Sequence, residues 1–218
     1  MDACYHRRQT DAIRRRDDRA PNEGIVSDVA ISYTVHVFAV AGSLRRDSFN
    51  RKLLRAAMEL VPPGMMIHQF DGLADIPPYN ADLDMDPRPE PVRALKQMLA
   101  ACDGLLVVTP EYNYGIPGVL KNAIDWASRP AATSPLLGKV ALLMGAATGI
   151  VGTARAQQQL RQNFVFTKTT VLPPPEILLG KAAEKFDNEG RLIDELAKQL
   201  IAERLKALGE WIYKLRQS

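Results

Sequence analysis

The sequence predicts a single α/β domain in which helices cover both faces of a five-stranded parallel sheet. Short apolar runs rich in β-branched residues alternate five times with segments of helical periodicity. Connections of this length favour right-handed crossovers between parallel strands. The run Gly104–Thr109 is continuously apolar, as expected for a strand covered on both faces. A chain of 218 residues can bury such a core without a disulfide or metal.

The first half of the domain begins with strand Tyr33–Val40, in which most side chains are β-branched or aromatic. Helix Ser48–Leu60 follows, because its apolar residues recur at helical spacing, and a Pro-Pro-Gly sequence ends it. Met65–Phe70 is predicted as the second strand. Helix Glu90–Ala101 carries its large apolar residues on one side and leads into the central strand Gly104–Thr109.

The second half continues the same alternation. Helix Gly118–Ser128 has an inward apolar side and precedes strand Lys139–Met144. Helix Thr153–Gln162 connects that strand to a short fifth strand, Thr169–Leu172. The last predicted helix, Glu189–Leu215, has leucines at helical spacing along its length.

Residues 1–32 are predicted to form a flexible N-terminal extension, and residues 33–218 form the domain. The extension contains six arginines, six acidic residues and few large apolar side chains. Such a segment cannot bury enough surface to offset the entropy lost on ordering. It has no apolar core of a secretory signal, and its acidic residues argue against an organelle transit peptide.

Composition excludes several classes of protein. Hydrophobic residues make up 46% and charged residues 24%, with a formal charge of +3, so nothing indicates a collagen-like chain, wholesale disorder or nucleic-acid binding. No apolar run approaches the roughly 18 residues of a membrane span. Neither the two cysteines nor the three histidines cluster, which argues against a metal site and favours a reducing, cytoplasmic location.

Ligands of doubly wound sheets bind beyond the carboxyl ends of the strands, where the strand order reverses. The predicted site therefore lies in three loops, after the first, third and fourth strands. They are Gly42–Asn50 (loop 1), Pro110–Pro117 (loop 2) and Gly145–Gly152 (loop 3).

Loop 1 leads into a helix N-terminus, where free N–H groups and a partial positive charge suit a phosphate. Ser43, Ser48 and Asn50 add polar groups, and Arg45 adds a guanidinium. The loop lacks both the GxGxxG pattern and a P-loop. The alternative interpretation is that Ser48 only caps the helix and Arg45 is a solvated charge.

Loops 2 and 3 suit a flat ligand. Loop 2 is polar, contains two tyrosines and is stiffened by a proline at each end, which suits a heteroaromatic ring. The small residues of loop 3 let the backbone approach a ligand closely. The alternatives are a stiff turn with structural tyrosines and an ordinary strand-to-helix connection.

The three loops together carry a family resemblance. The strings GSLRRDSFNR, PEYNYGIPGVLKNAIDWASRP and GAATGIVGTARAQ resemble the NAD(P)H-dependent FMN reductase family, in its branch of bacterial chromate and quinone reductases. The resemblance extends from about Thr34 to the C-terminus. It implies a flavodoxin-like fold with strand order 2-1-3-4-5.

The resemblance also implies FMN as cofactor and assigns its contacts. Loop 1 would hold the phosphate, loop 2 would line the isoalloxazine, and loop 3 would cover another ring edge. Relatives often have serines where Ala146 and Ala147 stand, so a side-chain hydrogen bond is missing here. The implied contacts are Ser43, Leu44, Arg45, Ser48, Phe49, Asn50, Pro110, Glu111, Tyr112, Asn113, Tyr114, Ala147, Thr148 and Gly149.

The implied activity is hydride transfer from NADPH or NADH to FMN, and from there to quinones, chromate, azo dyes or similar acceptors. The flavin carries the chemistry, so no catalytic side chain is assigned, and a structural role at the loop hinge is expected for Glu111. A homodimer or homotetramer is implied, with the Tyr79-Asn80 loop and helix Gly118–Ser128 as candidate interfaces. Trp126 is expected in the core or a subunit contact, and Lys121 is expected to pair with Asp125. The alternatives are a flavodoxin-type electron carrier and a non-catalytic protein on the same fold.

Overall fold

A parallel sheet forms the centre of the structure, a computed structural model that describes residues 34–217. The predicted N-terminal extension lies outside the described residues. The sheet has the expected order 2-1-3-4-5, and a sixth strand also pairs with the fourth. The strands are β1 Val35–Ala41, β2 Met65–Gln69, β3 Gly104–Val108, β4 Val140–Ala146, β5 Thr170–Val171 and β6 Ile177–Leu179.

The register brings the three central strands to one level at their carboxyl ends. Ala41 of β1 lies opposite Val108 of β3, and Val108 lies opposite Met144 of β4. All of these pairings are parallel, so the loops that follow the three strands leave the same edge of the sheet. This register positions loops 1, 2 and 3 side by side.

The predicted fifth strand is present as β5, but the sequence did not predict the sixth strand. β5 pairs with the start of β4, the chain then leaves the sheet edge at Pro173–Pro175, and β6 pairs with the end of β4. Proline has no N–H group to donate to a sheet, which explains the interruption. Because Leu178 and Leu179 of β6 pair with Gly145 and Ala146, β4 continues two residues beyond the predicted end. Loop 3 therefore starts at residue 147.

The five predicted helices are present, with two boundaries shifted by more than two residues. α4 continues to Phe166, four residues beyond its predicted end. α5 begins at Glu195 instead of Glu189. Its start is delayed because Asp187 binds Arg191 in a turn, and Asp194 then caps the helix by accepting the N–H of Ala197 at 2.8 Å. The helices are α1 Phe49–Glu59, α2 Glu90–Ala101, α3 Gly118–Ala127, α4 Ala154–Phe166 and α5 Glu195–Gln217.

Helices cover both faces of the sheet. On one face Phe38, Leu105 and Leu143 join a buried cluster that includes residues of α2, α3 and α4. On the other face α1 and α5 contact each other and the sheet. The approach there is close, since a Cβ on Gly104 would lie 2.5 Å from Cδ1 of Ile212. No helix in the described part of the chain is long and apolar enough to cross a bilayer.

Helix α3 confirms two expectations from the sequence. Trp126 is fully buried, and its Nε1 donates to the carbonyl of Pro77 at 2.8 Å. The Trp126 ring also meets Tyr79 edge-on at 5.0 Å. It is therefore a core residue within one chain. Lys121 pairs with Asp125 at 2.6 Å.

Gly145, near the end of β4, lies where no side chain fits. A Cβ at this position would be 2.0 Å from Oγ1 of Thr153 and 2.3 Å from the carbonyl oxygen of Thr109. The carbonyl belongs to the backbone that starts loop 2, and Thr153 precedes α4. The absence of a side chain at Gly145 thus allows loop 2 and the start of α4 to close on β4.

We expect Gly145→Ala to lower the free energy of unfolding by about 3 kcal/mol, because a methyl group would force two backbone segments apart. Gly118→Ala is the matched control, since a Cβ there has no neighbour within 4 Å. The control should change stability by no more than about 1 kcal/mol. Urea unfolding followed by circular dichroism measures both variants, and equal effects would contradict the packing argument.

Candidate functional site

Loop 1 leaves the sheet in contact with loop 2. The N–H of Gly42 donates to the carbonyl of Val108 at 2.8 Å. A Cβ on Gly42 would lie 3.1 Å from Cδ2 of Leu120 and 3.4 Å from Oγ1 of Thr109. Ser43 is buried behind this contact, and residues 44–47 are exposed. The loop therefore starts from a fixed base and then opens to solvent.

The exposed part of loop 1 presents a row of hydrogen-bond donors. Within residues 34–217, no group accepts a hydrogen bond from the backbone N–H groups of residues 43–47. Ser48 is the N-cap of α1, because its Oγ accepts from the N–H of Asn50 at 3.2 Å and of Arg51 at 3.4 Å. The structure thus confirms that Ser48 caps α1, and its hydroxyl keeps a proton that is free to donate a hydrogen bond. This donor set at a helix N-terminus suits an anion such as a phosphate.

The charge of loop 1 is positive. Asp47, the acidic residue of the loop, pairs with Lys52. The hydrogen bond from Lys52, its charge and the charge of Arg45 hold the pKa of Asp47 below its usual value. Asp47 is therefore ionised but compensated. Arg45 and Arg46 are exposed and add positive charge to the loop, and within residues 34–217 neither forms an ion pair.

The side chain of Asn50 bonds to the end of β4. Its side chain is buried, and its Nδ2 donates to the carbonyl of Ala146 at 2.9 Å. Its Oδ1 accepts from the N–H of Ala146 at 2.8 Å. The side-chain amide therefore joins the first turn of α1 to the last residue of β4.

Loop 2 is a tight turn that exposes two aromatic rings. Tyr112 and Gly115 exchange two backbone hydrogen bonds of 2.9 Å, and the two residues between them have positive φ angles of 50° and 65°. Left-handed backbone at both central positions defines the turn that twists with a hairpin. Tyr112 is 48% exposed and Tyr114 is 71% exposed, so these rings are not packed for structure alone. They form an exposed aromatic surface at the sheet edge from which loop 1 also leaves.

Glu111 holds loop 2 against α4. Its carboxylate accepts from the N–H of Arg155 at 2.9 Å and from the N–H of Ala156 at 3.1 Å. Thr153, at the N-cap of α4, makes no side-chain capping bond, so Glu111 caps this helix from another loop. The expected structural role of Glu111 is confirmed. The guanidinium of Arg155 lies 4.2 Å from the centre of the Tyr114 ring, and Gln159 accepts from the N–H of Ile116 at 2.6 Å.

Loop 3 is fixed by a segment that the sequence did not predict. The N–H of Ala147 donates to the carbonyl of Leu179 at 3.0 Å, and the carbonyl of Gly149 accepts from the N–H of Lys181 at 2.9 Å. A Cβ on Gly180 would lie 2.4 Å from the carbonyl oxygen of Ile150. The segment after β6 therefore belongs to the site, and the glycine directly after an Ile-Leu-Leu run was its only sequence signal.

The backbone donors that remain at loop 3 differ from those expected. The N–H of Ala146 is used by Asn50 and that of Ala147 by Leu179. Among the described residues, none accepts from the N–H groups of Thr148 and Gly149. The N–H groups of Thr148 and Gly149 are therefore the backbone donors that can take the place of the missing serine hydroxyls.

Polar donors and apolar surface occur together along this edge of the sheet. Loop 1 offers N–H groups, hydroxyls and guanidinium groups. Loops 2 and 3 offer rings and aliphatic side chains. The exposed apolar residues are Leu44, Tyr112, Tyr114, Ile150 and Val151. This donor set fits a molecule that has a phosphate at one end and a flat ring system at the other, as FMN has. A sheet of this order with such an edge defines a flavodoxin-like nucleotide-binding protein.

Comparisons with known proteins identify the family. A family model described as NADPH-dependent FMN reductase matches residues 35–184. An NAD(P)H-dependent FMN reductase of Pseudomonas aeruginosa is 46% identical over 186 residues, which are 85% of this chain and 100% of that protein. A quinone reductase of Escherichia coli is 38% identical over 188 residues, which are 85% of this chain and 100% of that protein.

A solved structure agrees with these matches. The flavoenzyme NAD(P)H:(acceptor) oxidoreductase FerB from Paracoccus denitrificans has a TM-score of 0.76 and 35% identity, covering 83% of this chain and 98% of its own. The chain belongs to the NADPH-dependent FMN reductase family. The predicted fold, the oxidoreductase class and FMN as cofactor with NAD(P)H as donor are thereby confirmed.

We expect Glu111→Ala to lower the free energy of unfolding by about 1–2 kcal/mol, because two N–H groups at the start of α4 lose their acceptor. Glu90→Ala is the control, since Glu90 is an exposed acid in the first turn of α2 that pairs with Arg93. Its loss should cost less than about 0.5 kcal/mol. Urea unfolding measures both, and an equal loss in the two variants would exclude the capping role of Glu111.

Proposed function

We propose that the protein is an FMN-containing NAD(P)H:quinone oxidoreductase that uses the three-loop edge as its active site. One observation carries this proposal: the N–H groups of residues 43–47, which have no acceptor within residues 34–217, and two exposed arginines lie at the same edge of the sheet as the exposed tyrosines of loop 2. The same activity is supported by relatives that are named for FMN or quinone reduction and are similar to this chain over the whole domain.

The positions of the hydrogen-bond donors assign the phosphate and the ring of FMN to different loops. Loop 1 would bind the phosphate through the N–H groups of residues 43–47, the hydroxyls of Ser43 and Ser48, and the guanidinium of Arg45. Pro110 and the turn at Tyr112–Tyr114 would border the ring on one side. The free N–H groups of Thr148 and Gly149 would face its polar edge. FMN, when bound, accepts a hydride from NAD(P)H and delivers its electrons to the acceptor.

The protein's own contribution is to bind and to orient. Glu111 holds two N–H groups of α4, so it is not free to serve as a base. The exposed rings of Tyr112 and Tyr114 would border the space beside the flavin in which a nicotinamide and then a quinone bind in turn. The site therefore needs no side chain that donates or removes a proton.

Several finer features remain predictions. Chromate, azo dyes and similar compounds are candidate acceptors besides quinones. A homodimer or homotetramer is predicted, with the loop at Tyr79 and helix α3 as candidate contacts. Tyr79 itself packs against Trp126, which leaves Asn80 and the exposed side of α3 for such a contact. A cytoplasmic location is also predicted.

Steady-state kinetics separate this proposal from its main alternative. Purified protein loaded with FMN should oxidise NADPH or NADH in the presence of 1,4-benzoquinone, at a rate proportional to enzyme concentration. A flavodoxin-type carrier would accept electrons only from a partner protein and would leave both nicotinamides unoxidised. A protein that stays colourless after incubation with FMN would contradict both.

Arg45→Ala should weaken FMN binding by about tenfold, because a charge-assisted hydrogen bond to the phosphate is lost. Riboflavin, which has no phosphate, should bind the variant and the wild type alike. Arg93→Ala on α2, which removes an equally exposed guanidinium away from the loops, is the control. Fluorescence titration measures the Kd values, and unchanged FMN affinity in the Arg45 variant would contradict the phosphate assignment.

A further inference from the structure

We propose that Asn50 is a positioning residue that fixes the phosphate-binding loop through Ala146 and does not touch the cofactor itself. The inference rests on the proposed function, since it concerns how the same site recognises a phosphate. It differs from the contact that the family resemblance implies for Asn50. It is based on the two hydrogen bonds between Asn50 and Ala146, the last residue of β4.

The side chain of Asn50 is buried, and both its nitrogen and its oxygen bond to Ala146. It is 3% exposed, and its amide forms a closed pair with both backbone groups of Ala146, at 2.9 and 2.8 Å. The remaining proton on Nδ2 lies within the buried interior. A ligand outside the loop therefore meets the backbone and hydroxyls of loop 1 before it meets this amide.

Ala146 is a rigid anchor for this pair. It belongs to β4 and pairs with Leu179 of β6. The preceding Gly145 lies so close to Thr109 and Thr153 that no Cβ fits. Three separate segments thus fix the point to which Asn50 attaches.

The other end of the connection is the start of α1. Asn50 lies in the first helical turn, and its own N–H donates to the capping Oγ of Ser48 at 3.2 Å. The direction of the N–H groups of residues 43–47 depends on where this turn sits. The Asn50–Ala146 pair, which is buried beneath loop 1, therefore sets the geometry of the anion site.

A positioning role makes a specific prediction for ligands that differ only in the phosphate. If the N–H groups of loop 1 turn away from the anion, the affinity for FMN falls, whereas riboflavin depends on loops 2 and 3. The ratio of the riboflavin Kd to the FMN Kd measures the phosphate contribution. A general loss of structure would weaken both ligands and leave the ratio unchanged.

The experiment measures this ratio by fluorescence titration for the wild type, Asn50→Asp and Asn50→Ala. Aspartate keeps the size and the acceptor and loses the donor to the carbonyl of Ala146, but its negative charge would also repel a phosphate, so the uncharged Asn50→Ala variant decides. We expect the ratio to fall about tenfold in both variants, as an interaction worth about one decade in affinity is lost. Asn122→Ala is the matched control, because Asn122 also joins two backbone groups, the N–H of Tyr79 at 2.7 Å and the carbonyl of Pro77 at 2.9 Å. The control should lower the melting temperature and leave the ratio as in the wild type.

Each result decides the inference. An unchanged ratio in both Asn50 variants overturns it, and so does a crystal structure with FMN in which Asn50 leaves Ala146 to bind the phosphate. If Asn50→Ala does not fold, Asn50→Ser decides by the same ratio, with circular dichroism as the folding check. A wild-type protein that binds neither ligand refutes the proposed function instead, which keeps the two failures distinct.

Discussion

The close approach of three loops at the end of β4 is the constraint on which the rest of the site depends. Gly145 lets the carbonyl of Thr109 and the side chain of Thr153 approach within the space of a methyl group. Ala146 then uses both of its backbone groups on the Asn50 side chain. Since loops 1, 2 and 3 each contact these two residues or their immediate neighbours, the distances between the loops are fixed before any ligand arrives. Preorganised donors of this kind bind an anion without the entropic cost of ordering a loop.

Side chains that look like ligands in the sequence serve largely to hold the backbone. Ser48 caps α1, Glu111 caps α4 and Asn50 joins α1 to β4. Their polar atoms satisfy buried or terminal backbone groups that would otherwise be costly to leave unpaired. The proposed phosphate ligands are then mainly the backbone N–H groups of loop 1 and the exposed guanidinium of Arg45, with the hydroxyls of Ser43 and Ser48 as further donors. A loop whose side chains bond to the protein's own backbone while its amides stay without an acceptor in residues 34–217 is a physical route to phosphate binding without a P-loop.

Features encoded locally were predictable, and features encoded across the chain were not. Helix Glu90–Ala101 has the predicted boundaries, because its periodicity and its first-turn proline are local signals. The three residues of β6 carry too little pattern to separate them from a loop, and their role comes from pairing with β4. The Asn50–Ala146 pair spans 96 residues and the Glu111–Arg155 contact spans 44, so no window of sequence contains both partners. Residues 189–194 have helical composition, but the Asp187–Arg191 turn and the cap at Asp194 take precedence there.

The surface chemistry of the edge favours an enzyme over an electron carrier. A carrier docks its cofactor against a protein partner, and complementary charge steers that encounter. Here Asp47 and Glu111 are both engaged, with Lys52 and with the start of α4, which leaves the edge with exposed arginines and apolar rings. Exposed tyrosines offer a flat apolar surface for a nicotinamide or quinone ring, and positive charge attracts the phosphates of a dinucleotide. An open aromatic surface beside a cationic loop therefore suits two small molecules that bind one after the other, which is the sequence of events that an NAD(P)H-dependent reductase requires.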